Sequence, residues 1–325
     1  MKQATRETRR AGRLRAVAIA GRRRGRIAAA AAALALAAPA APAQTPPPGV
    51  RAIHVQGNVH VVVGAGANIA VQVGEDGVLV VDTGDGRRNE QVIAAIRQLS
   101  SGPIRWIINT NADPDHTGGN EAVSHAGRTV NGNAAAIQAH LNVLNRMDKA
   151  GVPESFWPLN TFFEASKDFY FNNEAIFMSH APAAHTDGDV IVHFPRSDVI
   201  AAGDVFMTTT YPVIDLKNGG SVEGVISGLN HILDLAVPKH LQEGGTYIIP
   251  GHGRICDEAD VVEYRDMLVI VRDRIRDLIK KGLTLEQVKA ARPTLDYDLR
   301  YGATSGPWTT AMFIEAVYQD LSRTK

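Results

Sequence analysis

Residues 106–120 of this chain read W-I-I-N-T-N-A-D-P-D-H-T-G-G-N, a stretch that is rich in possible metal ligands. An apolar run over 104–108 predicts a short buried strand that leads into this stretch. Polar and turn-forming residues end the run, and a helical pattern over 121–126 follows the two glycines. The loop between them is crowded with oxygen and nitrogen donors, which favours cation binding over core packing. These donors are Asn111, Asp113, Asp115 and His116.

Three later segments also place metal-ligand side chains where an apolar run ends. Strand ends suit metal binding because a rigid sheet holds the ligands while one coordination position stays open. A single loop histidine or aspartate more often serves as a cap or a local hydrogen-bonding group, so the prediction rests on the whole set. The three segments are A-H-T-D-G-D with His185, G-D with Asp204 and P-G-H-G with His252.

Together and in this order, the four segments resemble the metallo-β-lactamase superfamily, whose first motif is HxHxDH followed by two glycines. The resemblance covers residues 53–254. Asp115 and His116 match the end of the motif, whereas Asn111 and Asp113 stand where the family has histidines. The resemblance implies an α/β fold, a four-layer αβ/βα sandwich of two mixed sheets with outer helices. Two chain halves in which strands precede a helix agree with that architecture.

The resemblance implies two metal sites in one pocket, and the ligands of one site are all present. They would be Asp115, His116 and His252, with Asp204 available to bridge both metals. We expect one tightly bound Zn²⁺ at this site.

The other implied site is altered to Asn111, Asp113 and His185. An asparagine carbonyl is a weak, neutral zinc ligand, and Asp113 offers a hard anionic oxygen in place of an imidazole. Two outcomes stay open. Either the site is weak or empty and Asn111 and Asp113 position the water on the remaining metal, or Asp113, His185 and Asp204 bind a harder metal.

The chemistry expected from such a site is hydrolysis of a small-molecule substrate. Zn²⁺ lowers the pKa of a bound water to about 7, so that a metal-bound hydroxide attacks an ester, thioester, lactone or β-lactam carbonyl. Asp115 or Asp204 would be the catalytic carboxylate that passes a proton to the leaving group.

Two alternatives belong to other classes of protein. Asp115, His116 and His252 form a two-His-one-carboxylate set, which suits a mononuclear iron oxygenase. Persulfide dioxygenases of the superfamily, however, hold iron at the site that is altered here. The second alternative is a non-catalytic binding protein with a degraded site, and five retained ligand positions argue against it.

Four further residues are predicted to have supporting roles. Asp82 ends a strand and is expected to orient the central loop by hydrogen bonding, as carboxylates behind metal ligands do. Asp215 and Lys217 lie in a loop after Asp204 that is expected to line the substrate pocket. Cys256 is the sole cysteine, which excludes an intrachain disulfide, and it is predicted to be a small buried side chain.

Hydrophobic periodicity predicts the remaining elements and their division into domains. Residues 51–256 are predicted to be the metallo-β-lactamase-like domain, and 257–325 a helical extension packed on it. Strands are expected within 53–63, 68–73, 78–82, 162–178, 189–194, 199–202 and 247–249, and helices over 91–99, 134–147, 221–235, 257–281, from 284 and over 308–321.

Residues 1–43 have the pattern of a signal peptide, with a basic stretch, an apolar run over 27–38 and A-P-A before Gln44. The apolar run is shorter than the ~20 residues that cross a bilayer, so no membrane anchor is expected. The protein is predicted to be exported to the periplasm, by either the general secretory or the twin-arginine route. Residues 44–50, which contain three prolines, are predicted to be a linker.

Removal of the predicted signal peptide makes the chain acidic. The whole sequence has 34 basic and 34 acidic residues, and residues 1–43 hold ten basic and one acidic, which leaves 24 and 33 and a net charge near −9. Nucleic acid and anionic lipid bind cationic surfaces, so neither is expected as a partner. The sequence does not indicate the oligomeric state.

Overall fold

The computed structural model describes residues 49–323, and these residues form two mixed sheets. In the first sheet, short turns join four antiparallel strands, whereas longer connections that contain helices bring three more strands in parallel beside the fourth. In sheet order, these strands are β1 Arg51–Gln56, β2 Val59–Val63, β3 Ile69–Gly74, β4 Gly77–Val81, β5 Ile104–Ile108, β6 Ala136–His140 and β7 Asn160–Phe162.

The second sheet has six strands, of which the first four are antiparallel neighbours. The fifth strand runs parallel to the fourth because a helix connects them, and the short sixth strand pairs with it antiparallel at the edge. These strands are β8 Ser166–Phe171, β9 Glu174–Ala181, β10 Asp189–Phe194, β11 Val199–Met207, β12 Tyr247–His252 and β13 Cys256–Asp257.

Several helices begin at residues whose side chains cap the free backbone N–H groups of the first turn. Ser221 caps one helix, and Asp257 with Asp260 and Thr284 with Gln287 form capping boxes on two others. The helices are α1 Asn89–Leu99, α2 Pro114–Thr117, α3 Asn120–Ala126, α4 Leu141–Lys149, α5 Val222–Leu235, α6 Glu258–Lys280, α7 Leu285–Ala290, α8 Asp298–Tyr301 and α9 Thr310–Arg323.

Apolar side chains fill the space between the two sheets, and other apolar side chains cover the outer face of each sheet. Leu79 of the first sheet and Val190 of the second belong to the central cluster. Ile96 of α1 and Val123 of α3 are buried against the outer face of the first sheet, and Leu229 of α5 is buried against that of the second. The layers therefore run helix, sheet, sheet, helix, which confirms the predicted sandwich.

The C-terminal helices share a hydrophobic cluster with α5. Leu268 of α6 and Phe313 of α9 are both fully buried in this cluster. The backbone N–H of Tyr211, in the loop after β11, donates to the carbonyl of Tyr301 at 3.2 Å. The helices therefore support the loop that follows Asp204.

The prediction of a helix over 134–147 is wrong in its first half. Residues Ala136–His140 form β6, which lies between β5 and β7 and pairs with both in parallel. Alanine has the highest helix propensity, but ladder hydrogen bonds and burial in a sheet outweigh such intrinsic preferences. The helical part begins at Leu141, where α4 starts.

The predicted signal peptide and nearly all of the predicted linker lie outside the described residues, which begin at Gly49. Within 49–323, no helix is both long enough and apolar enough to cross a membrane.

Candidate metal centre

The carboxyl ends of the central strands bring Asp115, His116 and His252 together. Asp115 and His116 lie in α2, directly after β5, and His252 is the last residue of β12. The Nε2 atom of His252 lies 3.0 Å from a carboxylate oxygen of Asp115. All three side chains have ligand atoms within 4.8 Å of one another, close enough to share one ion.

Asp204 lies between the two histidines of this cluster. One of its carboxylate oxygens is 3.2 Å from His116 Nε2, and the other is 3.7 Å from His252 Nε2. Gly251 permits this arrangement, because a Cβ atom there would come within 2.0 Å of Asp204 Oδ1. The neighbouring Asn68 fixes the turn by donating its side-chain N–H to the carbonyls of Pro250 and Gly253.

Asp82 contacts the ring of His116 at Nδ1, whereas Nε2 of the same ring faces Asp204. Its carboxylate accepts from the backbone N–H and the hydroxyl of Thr110 at 2.8 and 2.6 Å. The same carboxylate lies 2.8 Å from His116 Nδ1. Asp82 adopts φ +62°, a conformation that costs energy for most side chains and is tolerated best by Asn and Asp. These contacts place the proton of His116 on Nδ1 and leave Nε2 free to bind a cation.

A second cluster consists of Asp113, His185 and Asp204, whose ligand atoms also lie within 4.8 Å of one another. His185 Nε2 is 3.6 Å from Asp113 Oδ2. Its other nitrogen, Nδ1, faces Asp189 Oδ1 at 3.4 Å, so Asp189 orients this imidazole. Asp204 therefore belongs to both clusters.

Asn111 lies two residues before Asp113 of this second cluster, and its side-chain oxygen hydrogen-bonds to the backbone. Its side-chain Oδ1 accepts the backbone N–H of Asp113 at 2.9 Å. The residue is fully buried, and its Nδ2 has no hydrogen-bond partner among the described residues.

The loop with Asp215 and Lys217 is fastened to the turn that carries His185. The Asp215 N–H donates to the His185 carbonyl at 2.9 Å, and the Asp215 carboxylate accepts from the backbone of Lys217 and Asn218. Asp215 therefore stabilises the loop itself, and the exposed Lys217 is the side chain that the loop presents to solvent.

Arg146 of α4 ties the same loop to the turn after His185. Its guanidinium donates to the carboxylate of Asp187 and to the carbonyl of Asn218. The positive charge of Arg146 is thus already paired.

The electrostatics of the site favour a bound cation. Burial opposes the charged form of His116, yet Asp204 and Asp82 raise its pKa well above the usual value. Burial likewise opposes protonation of His185, but Asp189 and Asp204 raise its pKa to about 9. The carboxylates that stabilise these protons would stabilise a divalent ion in their place.

Unsatisfied buried atoms also fit a metal ion. His116 Nε2 and Asp204 Oδ1 are buried and have no hydrogen-bond partner among the described residues. An unpaired buried polar atom costs free energy, which coordination to a cation would recover. The donor set of imidazoles and carboxylates suits a divalent metal.

Two residues that position the site were not assigned roles from the sequence. Thr110 fixes Asp82, and only the folded structure shows that contact. Asp189 orients His185, and its place at the end of the H-T-D-G-D segment was the available signal. Cys256 takes no part in the clusters. It is buried, its thiol faces the Arg254 carbonyl at 3.2 Å, and burial raises its pKa to about 12.

A cleft of about 980 Å³ lies at the opposite, amino ends of β5–β7. Trp106, Trp157 and Tyr170 are among the residues that line it. The ligand clusters lie at the carboxyl ends of the strands, so this cleft is separate from them.

Comparison with protein families agrees with this geometry. The model described as "Metallo-beta-lactamase superfamily" matches residues 56–291, which is more than half of the chain. The search of curated proteins returned no match.

Solved structures of the same fold include two kinds of hydrolase. The sec-alkylsulfatase Pisa1 from Pseudomonas sp. is similar with a TM-score of 0.62 and 17% identity, over 83% of this chain and 50% of its own. The metallo-β-lactamase from Pontibacter korlensis has a TM-score of 0.54 and 14% identity, over 67% of this chain and 98% of its own. DIM-1 metallo-β-lactamase has a TM-score of 0.55 and 16% identity, over 68% of this chain and 97% of its own. The chain spans about half the length of the alkylsulfatase, and these likenesses show the fold alone.

Proposed function

This chain belongs to the metallo-β-lactamase superfamily, and on that premise we propose that it is an exported, zinc-dependent hydrolase of a small carbonyl compound. The observation that carries the proposal is the convergence of Asp115, His116, His252 and Asp204. Two buried atoms of this set, His116 Nε2 and Asp204 Oδ1, have no hydrogen-bond partner within residues 49–323. The substrate class is an ester, thioester, lactone or β-lactam.

Asp115, His116 and His252 would hold the Zn²⁺, with Asp204 beside them. The bound ion would supply a nucleophilic water at neutral pH and polarise the substrate carbonyl. His116 is held in the required tautomer by Asp82, and His252 is positioned by the turn that Asn68 fixes. These residues orient the ligand atoms before substrate arrives.

Asp115 is the carboxylate best placed to move a proton. Its side chain is 39% exposed, whereas that of Asp204 is 5% exposed. Proton transfer to a leaving group requires contact with the substrate, so the accessible carboxylate suits this role. We therefore assign the proton transfer to Asp115, in addition to its place among the ligands, and assign Asp204 to holding the cation alone.

A sulfate ester is a second candidate substrate class. The likeness to the alkylsulfatase covers 83% of the chain, against 67–68% for the two β-lactamases. A sulfate group carries a charge that the protein must neutralise, and the nearby cations Arg146 and Arg254 are paired with Asp187 and Asp260. Parallel assays with a chromogenic carboxylic ester, a β-lactam and a secondary alkyl sulfate separate the classes.

The test of the proposed centre is His252→Ala. This variant should lose zinc and lose turnover of whichever substrate the parent hydrolyses, by more than the roughly 10–100-fold that loss of a residue behind a metal ligand costs. The fold should remain, because the core does not depend on a partly exposed imidazole. Zinc content, turnover and thermal unfolding are the measurements.

His125→Ala, which removes an exposed histidine of α3, is the matched control and should behave as the parent. A His252→Ala protein with full zinc content and turnover would place the centre elsewhere. Metal analysis of the parent distinguishes the rival functions, since iron indicates an oxygenase and the absence of metal indicates a binding protein.

A further inference from the structure

Two unlike donor sets adjoin at Asp204 in this protein. The first offers two imidazoles and one carboxylate, from His116, His252 and Asp115, and the second offers one imidazole and two carboxylates. We propose that the second set, Asp113, His185 and Asp204, selects a harder divalent cation of the Mn²⁺ type, with Asn111 as a positioning residue rather than a ligand. This inference rests on the proposed function, because it assumes that zinc fills the first set.

The hydrogen bonding of Asn111 favours a positioning role over that of a ligand. Its Oδ1 already accepts the N–H of Asp113 at 2.9 Å, and the opposite orientation of the amide would set two N–H groups against each other. The atom left over is Nδ2, a donor, which repels a cation. Asn111 therefore fixes the backbone at Asp113 and leaves cation binding to the other side chains.

The remaining donors determine the preference of the second set. Carboxylate oxygens and water suit Mg²⁺, Ca²⁺ and Mn²⁺, whereas imidazole suits zinc. Two of the three donors are anionic oxygens, and the side chain of Asp113 is 41% exposed, which leaves room for the water ligands that harder ions retain.

The buried members of the set point to a ligand independently of its acidity. The side chains of His185 and Asp204 are only 2% and 5% exposed. Asp204 Oδ1 has no hydrogen-bond partner among residues 49–323. Asp189 directs His185 so that Nε2 faces Asp113. A cation at this position would satisfy atoms that are otherwise unpaired.

Titration of the zinc-loaded full chain with Mn²⁺ tests the proposal. Zinc exceeds manganese in affinity at a given site, so the protein is first loaded with one equivalent of Zn²⁺. Loss of the electron paramagnetic resonance signal of free Mn²⁺ then reports binding. We expect one Mn²⁺ per chain, and Asp113→Asn should weaken it by at least roughly tenfold, since even residues behind metal ligands contribute that much.

Asp168→Asn removes an exposed carboxylate of β8 and is the matched control, which should bind Mn²⁺ as the parent does. The reciprocal variant Asp113→His should lose the Mn²⁺ site and bind a second tight equivalent of Zn²⁺. An unchanged Mn²⁺ affinity in Asp113→Asn, or two equally tight zinc equivalents in the parent, would overturn the inference.

Metal binding by two variants of Asn111 tests its positioning role separately. Asn111→Ala should weaken Mn²⁺ binding and leave the first zinc equivalent unchanged, and Asn111→Ser should restore Mn²⁺ binding because its hydroxyl can accept the same N–H. Equal losses in both variants would contradict this role. If the parent binds no zinc at all, the proposed function fails; if it binds one zinc but no Mn²⁺, only this inference fails.

Discussion

At the residue scale, the backbone of Asp82 is strained, and the side chain of Asp82 orients the imidazole of His116. Asp82 adopts φ +62° and accepts three contacts, two from Thr110 and one from His116. Backbone strain of this kind persists where surrounding contacts fix it, and it concentrates at functional sites. The strain at Asp82 thus belongs to the candidate metal centre rather than to the core.

Asp82→Asn tests this assignment with little change in backbone energy, because asparagine also tolerates positive φ. The variant loses the charge that holds the His116 proton, so zinc affinity should fall roughly 10–100-fold while the unfolding temperature changes little. Asp198→Asn is the control, since Asp198 also has positive φ but pairs with Thr246 and Gln242 outside the ligand clusters. Competition with a chelator gives the affinities. Equal affinities in the parent and Asp82→Asn would refute the role.

At the element scale, the start of α5 supports the turn that carries His185. The Ser221 N–H and hydroxyl both donate to the Ala183 carbonyl at 2.9 Å. Gly224 lets the helix approach so closely, because a Cβ atom there would lie 1.7 Å from that same carbonyl oxygen. The packing of one helix end therefore fixes the position of one ligand.

Gly224→Ala should destabilise the protein by about 1–3 kcal/mol, the usual cost of overpacking. Helix propensity alone predicts the opposite sign, since alanine stabilises a helix relative to glycine. Urea unfolding measures the free energy. Ser227→Ala changes an exposed residue of the same helix and should stay within about 0.5 kcal/mol of the parent. A Gly224→Ala protein more stable than the parent would show that the helix can move away at no cost.

The sequence was informative where chemistry is local and uninformative where it depends on distant contacts. The segments with His116, His185 and His252 were predicted to supply ligands from the order of their motifs, and the structure places all three side chains in the two clusters that include or adjoin Asp204. β6 was missed because its alanines suit a helix, and its place between two strands is a non-local fact. The contact of Thr110 with Asp82 and the amide orientation of Asn111 also depend on three-dimensional packing.

At the scale of the whole molecule, a basic segment precedes an acidic chain, and we propose that export accounts for this difference. We propose that the mature protein begins at or near Gln44, because A-P-A at 41–43 supplies the small residues of a signal-peptidase site. Intact-mass analysis of periplasmic protein should give the mass of residues 44–325. Retention of Met1 or of the apolar run 27–38 in that fraction would contradict the prediction.

The buried Cys256 can report when the edge of the second sheet opens in the unaltered protein. It is the single thiol of the chain, and it pairs in β13 with β12, the strand that ends at His252. Only the thiolate reacts with alkylating reagents, and burial suppresses that form. The rate of alkylation of the unaltered protein therefore reports the fraction of molecules in which this sheet edge is open, without any engineered label.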